Sequence, residues 1–302
     1  MAFSLALAPV ILIVATGLFL AARGIPPQDG WRAIERLCYV VLFPCLIIRV
    51  LAQAPLDETP WRLALSLVVT QLVMAAIGHG ARFLRSIARP SVGSIIQSNV
   101  RWNTFVALSL SGTLYGDEGL ALTAVAAAAM IPTANVISIL GFSRYGDSKT
   151  RRHPFLELLR NPLVIACLIG VLINFSGLGI PLVIDDALEI LASAALALGL
   201  LSAGAGVDLK ALGRGGTNTL AWSLVRLLVM PVIAIGIARV LSLEGVSLAV
   251  IAIAAATPTA TNGYVLARQL GGDASLMANL IATQTLLAAF TMPLVMWFVG
   301  PS

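Results

Sequence analysis

Polar side chains are concentrated in one stretch of an otherwise apolar sequence, residues 94–111, which is predicted to be helical. Within about two helical turns this stretch carries Gln97, Asn99, Arg101, Asn103 and Thr104. A charged side chain at mid-membrane costs on the order of 2.5–3.5 kcal/mol, so Arg101 should face a bundle interior or water. Its planar fork matches a carboxylate, which favours anion binding. The alternative is a structural arginine that snorkels to the interface or donates to a backbone carbonyl.

A second unusual stretch, residues 254–268, combines a proline with small polar residues at membrane depth. It contains Thr257, Pro258, Thr259, Thr261, Asn262 and Gly263. Pro258 lacks a backbone donor and frees a carbonyl group, which predicts an interrupted helix. Such an interruption offers helix ends, backbone groups and small polar side chains to a ligand. The alternative is a proline kink whose backbone groups are satisfied by threonine hydroxyls.

A third candidate is Arg226, which lies near the middle of an apolar run and precedes Pro231. A charge at this depth indicates a role in substrate binding or gating, or else a structural hydrogen bond. The segment 132–135, Pro-Thr-Ala-Asn, is a weaker version of the 254–268 pattern and is interpreted as structural.

The composition predicts that a lipid bilayer surrounds these residues. Of the 302 residues, 59% are hydrophobic and 11% are charged, and the mean hydropathy is +0.95. A soluble domain needs more surface charge. Apolar runs of about twenty residues are long enough to cross a bilayer and predict an all-α integral membrane protein with ten transmembrane helices. The predicted spans are 3–22, 33–53, 61–81, 94–114, 118–142, 160–178, 186–206, 217–240, 246–268 and 274–299.

The basic residues indicate how the chain is oriented. One set of loops and adjoining helix ends holds fourteen of them, and the opposite side holds Arg49, Arg62 and Arg239. The first set is Arg23, Arg32, Arg36, Arg82, Arg85, Arg89, Arg144, Lys149, Arg151, Arg152, Arg160, Lys210, Arg214 and Arg268. The positive-inside rule places this set in the cytoplasm, so both termini should lie outside the cytoplasmic membrane. This explanation of the basic residues leaves no reason to expect nucleic acid as a partner.

The longest polar loop divides the predicted spans into five and five. We expect a first five-helix repeat at 1–142, a cytoplasmic basic loop at 143–159 and a second five-helix repeat at 160–302. Because five is odd, the halves insert with opposite orientation, as in inverted-repeat transporters. Weak internal similarity supports this, since Asn103-Thr-Phe-Val in span 4 is similar to Asn262-Gly-Tyr-Val in span 9.

The sequence contains no recognisable catalytic or metal-binding signature. His-Glu-x-x-His and Gly-x-Ser-x-Gly are absent, and the two histidines, His79 and His153, lie beside loops. The three cysteines have no metal-ligand spacing. We therefore expect no enzymatic activity, no cofactor and no metal site.

Several motifs follow one another along nearly the whole chain. They are Ser98-Asn-Val-Arg-Trp-Asn-Thr-Phe-Val-Ala, Leu114-Tyr-Gly, Arg160-Asn-Pro, and Pro258 with Tyr264-Val-Leu-Ala-Arg-Gln. In order and spacing they resemble the auxin efflux carrier family, and its bacterial branch most of all. The resemblance implies two inverted repeats of five helices, broken spans 4 and 9 that cross at Asn103 and Pro258, and elevator-like alternating access, usually in a homodimer. It also implies that Asn103 contacts the carboxylate of the substrate.

Two positions depart from the plant members of that family. Trp102 stands where the plant pattern has proline, so span 4 is expected to be less broken. Span 6 opens with Asn161-Pro-Leu instead of Asn-Pro-Asn, whose second asparagine also contacts auxin in the family. This difference puts auxin itself in doubt and leaves room for another small organic anion.

Together these features predict a permease that moves small organic anions, such as dicarboxylates or auxin-like carboxylates, across the cytoplasmic membrane by alternating access. The predicted substrate-binding residues are Arg101, Asn103, Thr104, Pro258, Thr259, Thr261, Asn262 and Arg226. Two alternatives remain open. One is a sodium-coupled symporter of the bile-acid type, and the other is a membrane sensor that binds a ligand without transporting it.

Overall fold

The computed structural model describes residues 2–54, 59–147, 161–208, 211 and 216–300, which form helices and connecting turns without any strand among them. The helices are α1 (Ala2–Ala22), α2 (Gln28–Leu37), α3 (Phe43–Gln53), α4 (Thr59–Gly80), α5 (Arg89–Val100), α6 (Thr104–Tyr145), α7 (Pro162–Ser176), α8 (Leu182–Ala205), α9 (Thr217–Leu224), α10 (Met230–Val240), α11 (Gly245–Ala256), α12 (Gly263–Gln269) and α13 (Ala274–Val299). Most of the predicted basic loop 143–159, from residue 148 onward, lies outside the described residues, as do Arg160, Lys210 and Arg214.

Helices occupy all ten predicted spans, and four of these spans are composite. Spans 2 and 8 each contain a π-helical turn, at Cys38–Leu42 and Val225–Val229. Each π-turn ends two residues before a proline, Pro44 or Pro231, whose ring would clash with the carbonyl group four residues earlier in a regular α-helix. Spans 4 and 9 are each divided by a non-helical segment. The ten membrane crossings and the inverted relation of the two halves stay predictions.

Several helical segments are able to span a membrane by length and composition. Five in the described residues are long and apolar enough: Pro60–Phe83, Arg89–Tyr145, Leu182–Ala205, Thr217–Val240 and Ala274–Val299. Shorter apolar helices lie at Ala8–Ala22, Pro162–Ser176 and Gly245–Ala256. The protein is therefore all-helical and carries several membrane-capable helices.

The segment Arg89–Tyr145 is too long to be one span. Its 57 residues would extend about 85 Å as a straight helix, against a hydrocarbon core of about 30 Å. Inside α6 the backbone leaves the helical region at Gly116, with φ 56° and ψ −143°. Beyond this residue the chain reverses direction. The close packing of Gly119 against the carbonyl group of Ser111 shows this reversal. Helix α6 is thus two arms, of which the first completes span 4 and the second forms span 5.

The helices pack most extensively in two groups. Group A is α1, α2, α3, α7 and α8, and group B is α4, α5, α6 and α9 to α13. One buried hydrophobic core lies mainly in each group, and α6 contributes to both. At the boundary, the rings of Phe43 in α3 and Phe105 in α6 stack with their centroids 4.4 Å apart.

Polar contacts at the end of α3 hold group A together. Arg49 forms ion pairs with Asp185 (Nε to Oδ1, 3.0 Å) and Glu189 (Nη2 to Oε2, 3.1 Å), both on α8. From α7, the Nδ2 of Asn174 donates hydrogen bonds of 2.8–3.1 Å to three carbonyl groups at and after the end of α3. These contacts satisfy the backbone acceptors that a helix end leaves open.

Two glycines allow α1 and α8 to approach closely. A Cβ atom on Gly17 would collide with the carbonyl group of Leu201, and one on Gly204 would collide with the carbonyl group of Val14. Small residues at such contacts let helix backbones meet inside membranes.

The substitution Gly204→Ala should force α1 and α8 apart. We expect the free energy of unfolding to fall by about 1–3 kcal/mol, as in other overpacked cores. Thermal unfolding of the detergent-solubilised protein measures the change. The matched control is Gly236→Ala on the exposed face of α10, where no heavy atom lies within 4 Å of the added Cβ. The control should be unchanged or slightly stabilised, and equal unfolding temperatures in the two variants would contradict the close packing.

Candidate functional site

The first interruption separates α5 from α6. Arg101 (φ −81°, ψ 141°) and Asn103 (φ −93°, ψ 95°) are extended. The Oδ1 atom of Asn103 accepts hydrogen bonds from the backbone N–H groups of Phe105 (3.1 Å) and Val106 (3.2 Å). Asn103 is therefore the N-cap of α6, since it satisfies donors that the helix start leaves open. The span is interrupted even though Trp102, and not a proline, precedes the cap.

The second interruption separates α11 from α12 and contains Pro258. Thr257 is extended (φ −63°, ψ 148°), and its Oγ1 donates to the carbonyl group of Ala254 at 2.9 Å. The segment between the two helices runs from residue 257 to residue 262, which is longer than the three-residue break in span 4. A proline surrounded by threonines thus ends α11 as the sequence predicts.

The two interruptions contact each other through Thr259. Its Oγ1 donates to the carbonyl group of Ser98 at 2.7 Å, on the last turn of α5. Its backbone N–H donates to Oε1 of Gln284 at 3.0 Å, and the Nε2 of Gln284 donates to Oγ of Ser98 at 2.8 Å. All three side chains are fully buried. Gln284 on α13 therefore joins both interruptions at one point.

Two further buried side chains satisfy carbonyl groups at the ends of α5 and α11. Arg226, on the π-turn between α9 and α10, donates from Nε and Nη2 to the carbonyl group of Arg101 (3.4 Å each) and from Nη1 to that of Ala255. From α4, the Nε2 of Gln71 donates to the carbonyl group of Val100 at 2.8 Å. Helix C-termini carry partial negative charge, which the guanidinium of Arg226 offsets.

The side chain of Arg101 connects the interruptions with the second arm of α6. Its Nη1 donates to Oδ1 of Asn262 at 2.8 Å, and its Nη2 donates to Oδ1 of Asn135 at 2.6 Å. Both acceptors are neutral amide oxygens, and these two contacts fix the guanidinium where the two interruptions meet.

A cavity of about 750 Å³ lies between the two helix groups, beside the interruptions. From group A its polar lining comes from Arg32, Glu35, Arg36, Tyr39 and Asn161, the residue before α7. From group B it comes from Arg101, Asn103, Thr104, Asn135, Thr261, Asn262 and Gln269. Ligand cavities for small molecules are typically about 300–1,000 Å³, so this one has the size of a small-molecule site.

Two lining residues, Asn103 and Asn161, have the same geometry. The Oδ1 of Asn161 accepts hydrogen bonds from the backbone N–H groups of Leu163 (3.0 Å) and Val164 (3.4 Å), which makes Asn161 the N-cap of α7. Each cap uses the amide oxygen and leaves the Nδ2 group as a donor. Among the described residues, none accepts a hydrogen bond from either Nδ2. The cavity thus has two amide donors, each beside a helix N-terminus with its partial positive charge.

Helix α2 presents one face to the cavity. Arg32, Glu35, Arg36 and Tyr39 follow the helical spacing i, i+3, i+4, i+7 and all line it. The Oε1 atom of Glu35 accepts a hydrogen bond from Oγ1 of Thr261 in the second interruption, at 3.1 Å. Among the residues that the structure describes, the lining therefore contains three guanidinium groups and one carboxylate.

The structure brings five of the predicted site residues together around the cavity and places the other three behind it. Those that line it are Arg101, Asn103, Thr104, Thr261 and Asn262. Pro258, Thr259 and Arg226 are buried outside the lining, and the contacts of Thr259 and Arg226 are with the interruptions themselves. Substrate binding by all eight residues stays a prediction.

Sequence reasoning missed three residues with central positions. Gln71 and Gln284 are mid-span amides, and their polarity in apolar helices was the available signal. Glu35 was not singled out, and its neighbours Arg32 and Arg36 were interpreted only as charges near a cytoplasmic helix end. The helical spacing of Arg32, Glu35 and Arg36 is the signal that could have assigned them to one face.

Replacing Arg226 by leucine should destabilise the protein strongly. The carbonyl group of Ala255 would lose the donor that Arg226 supplies, and that of Arg101 would keep only the hydroxyl of Thr259 at 3.4 Å. Each unsatisfied buried group costs about 1–3 kcal/mol. We expect a loss of about 3 kcal/mol or more in the free energy of unfolding, measured by thermal or chemical unfolding in detergent.

The matched control is Arg239→Leu, because Arg239 is exposed and lies in the last turn of the same helical segment, Thr217–Val240. That change should stay within about 0.5 kcal/mol. If Arg226→Leu were as stable as the control, the proposed support of the two helix ends would be wrong.

Comparisons with known proteins agree with a transport role. A family described as "Membrane transport protein" matches residues 2–296. A protein of Methanothermobacter thermautotrophicus named "Uncharacterized transporter" is 24% identical over 290 residues, which cover 94% of each chain. The family match spans nearly the whole sequence and is the match that the resemblance to auxin efflux carriers predicts. The chain therefore belongs to the membrane transport protein family, that of the auxin efflux carriers, and is a multi-pass membrane transporter.

Proposed function

We propose that this protein is a permease for small organic anions, such as dicarboxylates or other small carboxylates, and that it binds them in the cavity between the two helix groups. The observation that carries the proposal is the pair of cap asparagines, Asn103 and Asn161. Both line the cavity and both have their amide oxygens committed to helix N-termini. Their Nδ2 groups are donors of the kind that a carboxylate accepts.

The charge of the cavity supports the same substrate class. The guanidinium of Arg101 lines the cavity and is held by two amide oxygens, so it is positioned beside a bound anion. An anion at the cap asparagines also gains from the N-termini of α6 and α7. In the low dielectric of a membrane protein these terms act more strongly than they would in water.

Arg32 and Arg36 give the cavity an entrance for anions. Both are exposed and both line the cavity. The positive-inside rule places this end of α2 in the cytoplasm. The conformation is then one in which the cavity faces the cytoplasm, and the two arginines raise the local concentration of anions at its mouth.

The division into two groups supports transport by alternating access. We propose that group B, which holds both interruptions, moves against group A in the manner of an elevator. In this proposal the chain consists of ten spans in two inverted five-helix repeats, 1–142 and 160–302, joined by the basic loop 143–159. It lies in the cytoplasmic membrane with both termini outside and forms a homodimer.

Substitutions at Asn103 test the binding role without removing the cap. Serine at this position keeps a capping oxygen and lacks Nδ2, so Asn103→Ser should weaken substrate binding about tenfold with little change in stability. Asn103→Asp keeps the cap and places a negative charge beside the substrate, which should weaken binding by more than about a hundredfold. The measurement is uptake of radiolabelled malate, malonate or indole-3-acetate into proteoliposomes, together with binding in detergent.

The control is Asn218→Asp, the same chemical change on an exposed residue at the start of α9, and it should leave uptake unchanged. Wild-type uptake of none of these compounds would contradict the proposed substrate class. Uptake by Asn103→Asp equal to that of the wild type would exclude Asn103 from the site. Uptake that requires sodium would favour the bile-acid-type symporter, and tight binding without uptake would favour a sensor.

A further inference from the structure

Glu35 is an unusual residue to find in a cavity for anions. It lies on the α2 face that also carries Arg32 and Arg36, and all three line the cavity. A carboxylate in this position repels an incoming carboxylate, and the repulsion is stronger at low dielectric. A substrate overcomes this cost only if it offers Glu35 a hydrogen-bond donor or a positive charge.

The present partner of Glu35 shows what chemistry its carboxylate accepts. The hydroxyl of Thr261, in the second interruption, donates to Oε1 of Glu35 at 3.1 Å. Thr261 packs closely against Gly206 at the end of α8, where an added Cβ atom would collide with the methyl group of the threonine. The carboxylate of Glu35, in group A, thus accepts a hydrogen bond from a hydroxyl group in group B.

The polar groups of the cavity differ in the partner that each requires. Asn103 and Asn161 offer amide donors, and Arg101 offers positive charge, so these three suit the carboxylate of a substrate. Glu35 offers only acceptors when it is ionised. A ligand that satisfies both kinds of group carries an acceptor and a donor in one small molecule.

We infer that the substrate bears a donor group, a hydroxyl or an ammonium, in addition to its carboxylate, and that Glu35 accepts a hydrogen bond from this group in the place now taken by the Thr261 hydroxyl. This inference rests on the proposed function, and it narrows the substrate from organic anions in general to hydroxy or amino acids. Glu35 is then the specificity-determining residue of the cavity. It selects against simple carboxylates of the same size and charge.

The test compares three ligands that share a four-carbon dicarboxylate skeleton: succinate without a donor, malate with a hydroxyl and aspartate with an ammonium. Binding to the full-length protein in detergent is measured by calorimetry for the wild type and for Glu35→Ala. The wild type should prefer malate or aspartate over succinate by about tenfold, the size expected for one hydrogen bond to a charged group. Glu35→Ala should reduce this preference to less than about twofold and should still bind succinate.

The control is Asp186→Ala, which removes a carboxylate at an exposed side chain on α8 that does not line the cavity. It should keep the wild-type preference. A second variant, Glu35→Gln, keeps an acceptor oxygen without the charge. It should preserve a preference for malate and lose a preference for aspartate, so that it identifies the donor as a hydroxyl or an ammonium.

Two outcomes would overturn the inference. One is a wild type that binds all three ligands equally. The other is a Glu35→Ala variant that keeps the wild-type preference, for example by changing all three affinities by one common factor, as expected of a residue that only stabilises a conformation of the protein. If the wild type bound none of these ligands or any other small carboxylate, the proposed function itself would fail, and this inference with it.

Discussion

The constraint on which the rest of the structure depends is that backbone carbonyl groups at a helix end inside a membrane must find donors within the protein. Two helices end within the predicted spans, α5 at Val100 and α11 at Ala256, and neither is followed directly by another turn of helix. An unpaired backbone group in such a place costs several kcal/mol. The protein supplies donors from side chains on other helices: Arg226 and Gln71 for α5, and Arg226 for α11. A positive charge suits this role, because both ends are C-terminal ends of helix dipoles.

The same constraint generates the binding chemistry of the cavity. Where a helix restarts after an interruption, its first N–H groups also need partners, and an asparagine oxygen is a good one. Asn103 meets this need for α6, and Asn161 meets it for α7. Because the oxygen of each amide is committed to the backbone, the orientation of the amide is fixed and its Nδ2 group becomes a directed donor. Backbone satisfaction and anion recognition are thus two consequences of one side-chain placement.

The sequence predicted most of the helices and part of the site. Apolar runs placed all ten helical spans because the signal for a membrane helix is local and long. Pro258 with its threonines predicted the second interruption for the right reason, whereas the break in span 4, at Arg101–Asn103, was implied only by the family resemblance. The side-chain contacts of the site could not be predicted in the same way. Thr259 and Arg226 are polar at the same depth as Thr261 and Arg101, but whether a side chain faces the cavity or the neighbouring helix end depends on packing between distant segments. Glu35 was overlooked because a charge near a cytoplasmic helix end usually has no role beyond topology.

The placement of the supporting contacts bears on how such a protein can move. Among the described residues, five side chains that form hydrogen bonds with the interruptions or with Arg101 belong to group B: Arg226, Gln71, Gln284, Thr259 and Asn135. Group B can therefore move without breaking these hydrogen bonds. The contacts that cross to group A at the cavity are of a different kind. They include one hydrogen bond between Thr261 and Glu35 and the stacked rings of Phe43 and Phe105. In the proposed elevator movement a substrate would remain with Asn103 and Arg101, while its contacts with Asn161 and Glu35 would be exchanged for others. Group A would therefore select the substrate at the start of the movement, and group B would hold it throughout.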